Sequence, residues 1–249
     1  MISFVSLALF NANAEEANFI AIGALNSDLD QAMEIFYEAD LIDENGYWTK
    51  KDVTVVQMGD ALGNGEQSLE LLQWLNRIQK QASRQGADVH VILGDQEVDN
   101  LWGELQYVSR FDIESFGGLE ERRRAFGQRG EWREWLLNQP AVLDIDGNLF
   151  VHGGIPIEYA RSAAELSRDI IVATENQKPH EILSVDGPID YQGYSQGSDY
   201  RVCFEVELVL KTMKAQRMIV SDQNPDETNP VERCNGRLLS VPEGQFLRF

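Results

Sequence analysis

Histidine, cysteine and positive charge are all scarce in this sequence. Its 249 residues contain three His and two Cys, and 41 Asp or Glu outnumber 21 Lys or Arg, which gives a net charge of -20. This charge repels nucleic-acid backbones and anionic membrane surfaces. The basic cluster Arg122-Arg123-Arg124 is too small to offset it. We therefore expect no nucleic-acid partner.

Long apolar runs are missing as well. No run approaches the roughly 20 residues that span a bilayer, so we expect no integral membrane segment in the mature chain. Residues 1–10 (MISFVSLALF) form one short apolar run, and Ala12-Asn13-Ala14 then places small residues where signal peptidase reads them. We predict a signal peptide over residues 1–14, and hence export to a periplasm, an organelle lumen or the medium. An N-terminal strand is the alternative, because no Lys or Arg precedes the run.

The two cysteines are compatible with export. In an oxidising compartment, Cys203 and Cys234 could form one disulfide. Two ordinary buried thiols are the alternative, since a pair of cysteines is common in proteins of any compartment. The pair is therefore a disulfide candidate.

The N-terminal part of the chain alternates short apolar strands with amphipathic helices. Strands are predicted at residues 17–22, 53–58 and 89–93. Because they are apolar on both sides and separated by helices, they predict a parallel sheet with right-handed crossovers. Ligands of such sheets bind beyond the carboxyl ends of the strands. The chain length favours one domain over residues 15–249.

The C-terminal part is less regular. Residues 101–138 are rich in Arg, Glu and Trp and predict a helical cap inserted after the third strand. Residues 156–200 show little periodicity and contain several Gly, Pro and Ser residues, which predicts an irregular region. The remaining predicted elements are strands at 141–145, 148–151, 217–220 and 237–241 and a helix at 204–214.

Five segments at predicted strand ends carry the chemical signal. They are Gly23-Ala24-Leu25-Asn26-Ser27, Gly59-Asp60-Ala61-Leu62-Gly63-Asn64-Gly65, Gly94-Asp95-Gln96-Glu97, Val151-His152-Gly153-Gly154 and Ser221-Asp222-Gln223. Their order and spacing resemble the calcineurin-like metallophosphoesterases, in particular the Shewanella-like protein phosphatases, over nearly the whole mature chain. This resemblance implies an α/β fold in which two β-sheets form a sandwich flanked by helices, with a small helical cap insertion.

The resemblance also implies which metal ligands are kept. Such enzymes use two cations about 3.5–4 Å apart, bridged by a carboxylate, to bind phosphate and to supply a hydroxide. Asp60 occupies the bridging position and His152 keeps a ligand of the second metal. Asp95 stands where the family has Asn, and Asp222 where it has His, so both positions still carry oxygen. Two further ligand positions, both of the first metal, are lost: Ala24 and Asn26.

The acid and the phosphate clamp are lost too. Gln96 replaces the family's general-acid His and Gly63 replaces the Asp that supports it. Asn64 replaces the Arg that would grip phosphate through two parallel hydrogen bonds. The family needs four histidines and this chain has three. Of these, His90 lies within a predicted strand and His180 in the predicted irregular region, so neither is expected to be a ligand.

These losses lead to a first hypothesis, a catalytically impaired pseudophosphatase that binds a protein partner or a small ligand. An anionic ligand could use the backbone N–H groups of the turn before Ser27. A second hypothesis is slow hydrolysis with one divalent cation, Mn²⁺, Mg²⁺ or Ca²⁺. If no cation binds, the aspartates are merely solvated and His152 only holds its turn. A third is a structural subunit of a larger assembly. The candidate cation ligands are Asp60, Asp95, His152 and Asp222.

Overall fold

The computed structural model describes residues 19–222 and 228–249, with the side chain of Asp222 left out. The predicted signal peptide, residues 1–14, and Gln223 of the last motif lie outside the described residues. Within the described part, the helices are all too short or too polar to cross a membrane.

Nine strands and nine α-helices make up the described ranges. The strands are β1 (Phe19–Ile22), β2 (Thr54–Gln57), β3 (Asp88–Val91), β4 (Val142–Ile145), β5 (Asn148–Val151), β6 (Arg217–Asp222), β7 (Val231–Arg233), β8 (Leu238–Pro242) and β9 (Phe246–Arg248). The helices are α1 (Leu29–Glu38), α2 (Ser68–Arg84), α3 (Asp95–Trp102), α4 (Arg110–Ser115), α5 (Leu119–Phe126), α6 (Glu131–Leu137), α7 (Ala163–Asn176), α8 (Gly193–Gln196) and α9 (Asp199–Met213).

The strands form two sheets. The first has the order β3-β2-β1-β9, and the second has the order β4-β5-β6-β8-β7. In the first sheet β1, β2 and β3 run parallel, and β9 is antiparallel to β1. In the second sheet β5, β6 and β8 run parallel, and the edge strands β4 and β7 are antiparallel. The predicted class, a mixed α/β fold of two sheets flanked by helices, is confirmed.

Apolar side chains fill three layers around the sheets. Between the sheets, Val56 and Met58 of the first pack with Phe150 and Ile219 of the second. Helices α1 and α2 cover the outer face of the first sheet, while α7 and α9 cover that of the second. Burying one such side chain is worth about 1.5–3 kcal/mol. Because helices cover both outer faces, the parallel strands read as nearly continuous apolar runs.

Residues 156–200 are not irregular throughout, so that prediction was wrong. They contain the 14-residue helix α7, whose N-cap Ser162 accepts a hydrogen bond from the backbone N–H of Glu165. Leu166 and Ile170 face the core on one side of it. The helix α9 also begins earlier than predicted, at Asp199. Both segments carry charged residues on their exposed sides, which hid the apolar spacing.

Candidate metal centre

Tight turns bring four of the five motifs together at the carboxyl ends of β1, β2, β3 and β5. Gly59, after β2, has a positive φ of 89°. A Cβ there would lie 2.6 Å from His152 Nδ1 and 2.9 Å from the backbone nitrogen of Gly94. Only glycine permits that approach. The turn after β2 therefore lies directly against the turns after β3 and β5.

Three ligand atoms converge at this point. His152 Nε2 lies 3.4 Å from Asp60 Oδ2 and 3.3 Å from Asp95 Oδ1. The ligand atoms of the three residues all lie within 4.8 Å of one another, and no further residue of the described part joins them. We call these three atoms the acceptor triangle. Two carboxylate oxygens and one imidazole nitrogen are a plausible donor set for a divalent cation.

The imidazole has the orientation of a metal ligand. His152 is 1% exposed, and its Nδ1 lies 2.7 Å from the backbone oxygen of Met58. Since a carbonyl only accepts, Nδ1 donates to it, and this hydrogen bond directs Nε2 at the two carboxylates. Nε2 is buried and has no hydrogen-bond partner. A buried nitrogen without a partner is costly, and a bound cation would satisfy it.

Gln96 orients both carboxylates. Its backbone N–H donates to Asp60 Oδ1 at 3.2 Å, and its Nε2 donates to Asp95 Oδ2 at 3.0 Å. One oxygen of each aspartate is thereby held, while the other faces His152. Gln96, which stands where the resemblance would place the acid, thus shapes the acceptor triangle through these two hydrogen bonds.

Glu97 ties two of the turns together, and sequence reasoning missed this role. Its buried carboxylate accepts backbone N–H bonds from Asp60 and Leu62, both at 2.9 Å, and from Gly94 at 2.8 Å. Burial and the nearby charge of Asp60 raise the pKa of Glu97 to about 7. The signal in the sequence was the glutamate three residues after the cap residue Gly94, a capping-box pattern.

Burial and the charges of neighbouring groups shift the pKa values of the three residues in the acceptor triangle in opposite directions. Burial raises the pKa of Asp60. Burial alone would also raise the pKa of Asp95, but His152 outweighs it and lowers that pKa. Burial alone would lower the pKa of His152, yet the two carboxylates hold it well above its usual value. A proton on His152 or a cation in its place relieves the same negative charge.

Two more carboxylates surround the triangle, and the motifs gave no signal for either. Burial, followed by the charge of Asp95, raises the pKa of Asp99 to about 6. Burial and Asp95 likewise raise the pKa of Asp190. Asp190 lies in the stretch that was predicted to be irregular, where no periodic pattern indicated its position. We call Asp99 and Asp190 the acidic rim.

The turn after β1, where the resemblance would place the first metal, is tightly packed. Ala24 is buried and offers no donor. The backbone N–H groups of Leu25 and Asn26 both donate to the Asp60 carbonyl at 2.9 Å, and Gly65 N–H donates to the Asn26 carbonyl at 2.9 Å. A Cβ at Gly63 would lie 2.8 Å from the Cα of Asn26. The turns after β1 and β2 therefore pack directly on each other.

The remaining predicted residues are placed as follows. Asn64 is exposed. Asp222 ends β6, and the N–H of the preceding Ser221 donates to the His152 carbonyl at 2.9 Å, but the Asp222 side chain lies outside the described residues. His90 lies half-buried on β3. His180 Nδ1 accepts from the N–H of Ile182 at 3.2 Å.

Comparisons with known proteins agree with this architecture. No protein-family profile matches the chain. An uncharacterized protein of Schizosaccharomyces pombe is 29% identical over 239 residues, covering 90% of this chain and 72% of that protein. Shewanella-like protein phosphatase 2 of Arabidopsis thaliana is 30% identical over 174 residues, covering 68% of this chain and 40% of its own length. Shewanella-like protein phosphatase 1 of Plasmodium berghei is 26% identical, covering 92% of this chain and 67% of its own length.

Solved structures show the same fold at low identity. The cold-active protein-tyrosine phosphatase of a psychrophilic Shewanella superposes with a TM-score of 0.77 at 19% identity, covering 89% of this chain and 70% of that one. A Saccharomyces cerevisiae serine/threonine phosphatase similar to human PP5 gives 0.62 at 13% identity, covering 93% and 68%. The chain has the fold of the calcineurin-like phosphatases, and its sequence is similar to the Shewanella-like protein phosphatases. The resemblance inferred from the motifs is confirmed at that level. Because this chain spans only 40% of the Arabidopsis relative, its activity and substrates are matters for proposal.

A disulfide lies away from the acceptor triangle. The structure joins Cys203 to Cys234, and this bond links α9 to the turn after β7. Next to it, Arg233 donates to the carbonyl of Gly197 at 2.9 Å and to Asp199 Oδ1 at 2.7 Å. These contacts hold the segment that follows the acidic-rim residue Asp190.

Proposed function

We propose that this chain is a catalytically impaired phosphatase-fold protein that binds one divalent cation at Asp60, Asp95 and His152 and acts by binding a ligand or partner. The observation that carries the proposal is the contrast between two halves of one site. The acceptor triangle presents a buried, unpartnered Nε2 between two free carboxylate oxygens. At the proposed first metal position, Ala24 offers no donor and Gly63 packs against Asn26.

The donor set narrows the choice of ion. Mn²⁺ and Mg²⁺ accept oxygen ligands together with water, and Mn²⁺ also accepts imidazole. Ca²⁺ takes six to eight oxygens, which an imidazole and two aspartates supply poorly. We therefore propose Mn²⁺ as the first ion to test. Asp222 remains a proposed fourth ligand on the strength of its position at the end of β6.

The proposed loss of turnover follows from the groups that are missing around the acceptor triangle: a general acid, a second cation and a phosphate-binding arginine. A positioned general acid contributes about 10²- to 10⁴-fold to rate, and Gln96 uses its amide to hold Asp95 instead. The cation of the first metal position, which would share the charge of the transferring phosphoryl group, has no donor at Ala24. An exposed Asn64 carries no charge to clamp phosphate. Each loss alone slows hydrolysis, and together they remove the two-metal route.

Metal content and activity measured on one preparation test this proposal. Protein purified without chelators should hold about one Mn²⁺ equivalent after incubation and dialysis. It should hydrolyse an aryl phosphate with added Mn²⁺ no faster than a His152→Ala variant does. Turnover at rates typical of enzymes that is abolished in His152→Ala would refute the proposal that the protein is catalytically impaired.

A slow single-metal hydrolase is the second candidate, because the acceptor triangle is intact and a lone cation can polarise a phosphoryl oxygen. The same assay separates the two, since this candidate requires activity that is weak, Mn²⁺-dependent and lost on Asp60→Asn. The exposed Glu44→Gln variant is the matched control, because it removes one charge in the turn between α1 and β2 at the opposite end of the strands.

We also propose that the protein is exported to an oxidising compartment. The disulfide between Cys203 and Cys234 supports this, because such bonds persist outside reducing cytosols. Mass spectrometry of the protein from its native cells should find a mature N-terminus after Ala14 and no free thiols. An intact residue 1–14 segment together with two reduced cysteines would contradict export.

A further inference from the structure

Helices α5 and α6 each carry one buried arginine, and the two differ in their partners. Arg122 of α5 is fully buried, and its Nη1 lies 2.7 Å from Asp112 Oδ2. Arg133 of α6 is 6% exposed, yet it forms no ion pair with any residue that the structure describes. Arginine is almost never buried in proteins without a charged partner. Arg133 therefore lacks the negative group that its burial requires.

The hydrogen bonds of Arg133 leave the same group unsatisfied. Its Nη2 donates to the backbone oxygen of Glu175 at 3.0 Å, near the end of α7. Its Nη1 is buried and has no hydrogen-bond partner in the described structure. Buried N–H groups are nearly always hydrogen-bonded, and buried charges are nearly always paired. A water molecule would satisfy only the first requirement, whereas an anion satisfies both.

Arg133 lines a surface cavity of about 550 Å³. Sites for small ligands have volumes of about 300–1,000 Å³. The other charged and amide side chains around the cavity are exposed: Gln128, Arg129, Glu134, Asn138 and Glu175. Because exposed side chains change rotamer within nanoseconds, they can admit a ligand to the guanidinium. Arg133 is thus the fixed charge of the cavity, and its surroundings are adaptable.

The charges around the cavity favour a carboxylate over a phosphate. A guanidinium binds a carboxylate through two parallel N–H···O bonds. Arg129 likewise forms no ion pair within the described ranges, so it can supply a second positive charge. Glu134 and Glu175, which line the same cavity, repel a doubly charged phosphate more strongly than a singly charged carboxylate. The cavity therefore fits a ligand with one negative group.

We propose that this cavity, which we call the arginine cavity, binds the carboxylate group of a small organic acid or of a chain terminus. Arg133 is its ion-pair partner, and Arg129 adds a second, exposed positive charge. The two sources share one chemistry, since each offers a single carboxylate. The inference goes beyond the proposed cation-binding role, because the arginine cavity shares no residue with the acceptor triangle. Either proposal can therefore fail without the other.

NMR titration of the ¹⁵N-labelled full chain tests the proposal. The probes are N-acetylleucine, its methyl ester and inorganic phosphate. N-acetylleucine should shift the Arg133 Nε–H signal and the backbone signal of Gly130, which also lines the arginine cavity. The ester has no charge to pair with a guanidinium, so its affinity should be at least about tenfold lower. Equal affinities of the acid and the ester, or tighter binding of phosphate at these signals, would overturn the proposal.

Two acetylated tetrapeptides that end in leucine distinguish the sources of the carboxylate: one has a free C-terminus and the other has a C-terminal amide. If the free peptide binds at least about tenfold more tightly than N-acetylleucine, and the amide does not, the ligand is a chain terminus. A similar or lower affinity of the free peptide identifies a small organic acid. Both outcomes support the shared chemistry. Absence of Arg133 shifts with every carboxylate probe at low salt overturns the proposal.

Charge variants around Arg133 locate the site. Arg129→Gln should weaken N-acetylleucine about two- to fivefold by removing an exposed positive charge. Arg84→Gln makes the same change at the exposed end of α2, outside the arginine cavity, and should leave the affinity unchanged. Glu175→Gln should tighten binding about two- to fivefold, because it removes a like charge. Equal effects of Arg129→Gln and Arg84→Gln, or weaker binding in Glu175→Gln, would overturn the proposed charge recognition.

Arg133→Gln removes the buried charge itself and keeps an amide donor for the Glu175 carbonyl. N-acetylleucine should then bind at least about tenfold more weakly, while circular dichroism should report a folded chain. Arg133→Lys keeps the charge but not the planar donor fork, so its affinity should lie between those of the parent and Arg133→Gln. If Arg133→Gln does not fold, the lysine variant and the parent titration decide. Parent-like affinity in Arg133→Gln, or in Arg133→Lys if only that variant folds, would overturn the role of Arg133.

Discussion

Gly63 and Asn26 are in contact: a Cβ added at Gly63 would lie 2.5 Å from Asn26 Oδ1 and 2.8 Å from Asn26 Cα. Asn26 itself adopts a positive φ of 46°. The resemblance to the phosphatases would place an aspartate at Gly63. The packing shows that such a side chain has no room while the turn after β1 keeps its present conformation.

Gly63→Asp should therefore destabilise the fold. Overpacking costs about 1–3 kcal/mol, and we expect a loss in this range by urea denaturation. Asn26→Gly in the same chain should recover part of it, because glycine removes Oδ1 and tolerates the positive φ. The exposed neighbour Asn64→Asp is the control and should change stability by less than about 0.5 kcal/mol. A Gly63→Asp variant as stable as the parent would show that the turns separate easily.

Mn²⁺ should raise thermal stability through the acceptor triangle. A ligand that binds only the folded state at 100 times its dissociation constant adds about 2.7 kcal/mol. We expect a rise in Tm with Mn²⁺ in the parent and in Glu44→Gln. We expect no rise in His152→Gln, because an amide replaces the imidazole ligand. Differential scanning calorimetry measures the shift. An equal rise in His152→Gln would place the cation elsewhere.

Replacing Glu97 by glutamine should weaken the junction of the turns after β2 and β3. The two carboxylate oxygens accept three backbone N–H groups, whereas an amide has one oxygen and would face one N–H with its own donor. Leaving a buried donor unsatisfied costs about 1–3 kcal/mol. The exposed Glu104→Gln should cost little. Urea denaturation measures the difference, provided that the free energy of unfolding depends on urea concentration with the same slope in both variants. Equal midpoints for the two variants would contradict the role of Glu97.

A buried ion pair offers a further test. Arg122 and Asp112 are both fully buried, with Nη1 and Oδ2 2.7 Å apart, and Asp112 Oδ1 accepts the backbone N–H of Ser68 at 2.8 Å. Ser68 Oγ lies 2.8 Å from Ser27 Oγ. The pair thus connects α4 and α5 to the turn after β1.

Asp112→Ala should cost about 3–5 kcal/mol, because it leaves a buried guanidinium without its partner. The exposed pair of Arg110 and Glu114 supplies the control, since Glu114→Ala should cost no more than about 1 kcal/mol. Chemical denaturation of both variants measures the difference. Similar losses in the two variants would show that water reaches Arg122.

Five ordered motifs were enough to predict the fold, because each sits at a strand end and strand ends share one edge of a sheet. Asp60, Asp95 and His152 could be proposed as neighbours for the same reason. Glu97 and Asp190 could not be assigned roles. Their importance lies in backbone groups and charges that are distant in sequence, and local pattern does not encode such contacts. The helix α7 was missed because its apolar positions are separated by charged ones.

The three backbone hydrogen bonds that Glu97 accepts have a consequence for any ion that binds at the acceptor triangle. A carboxylate, and not a metal, holds the walls of the crevice in place. Ions can therefore enter and leave without remodelling the walls. Binding of a cation would then change the local charge while the backbone conformation of the two turns stays the same.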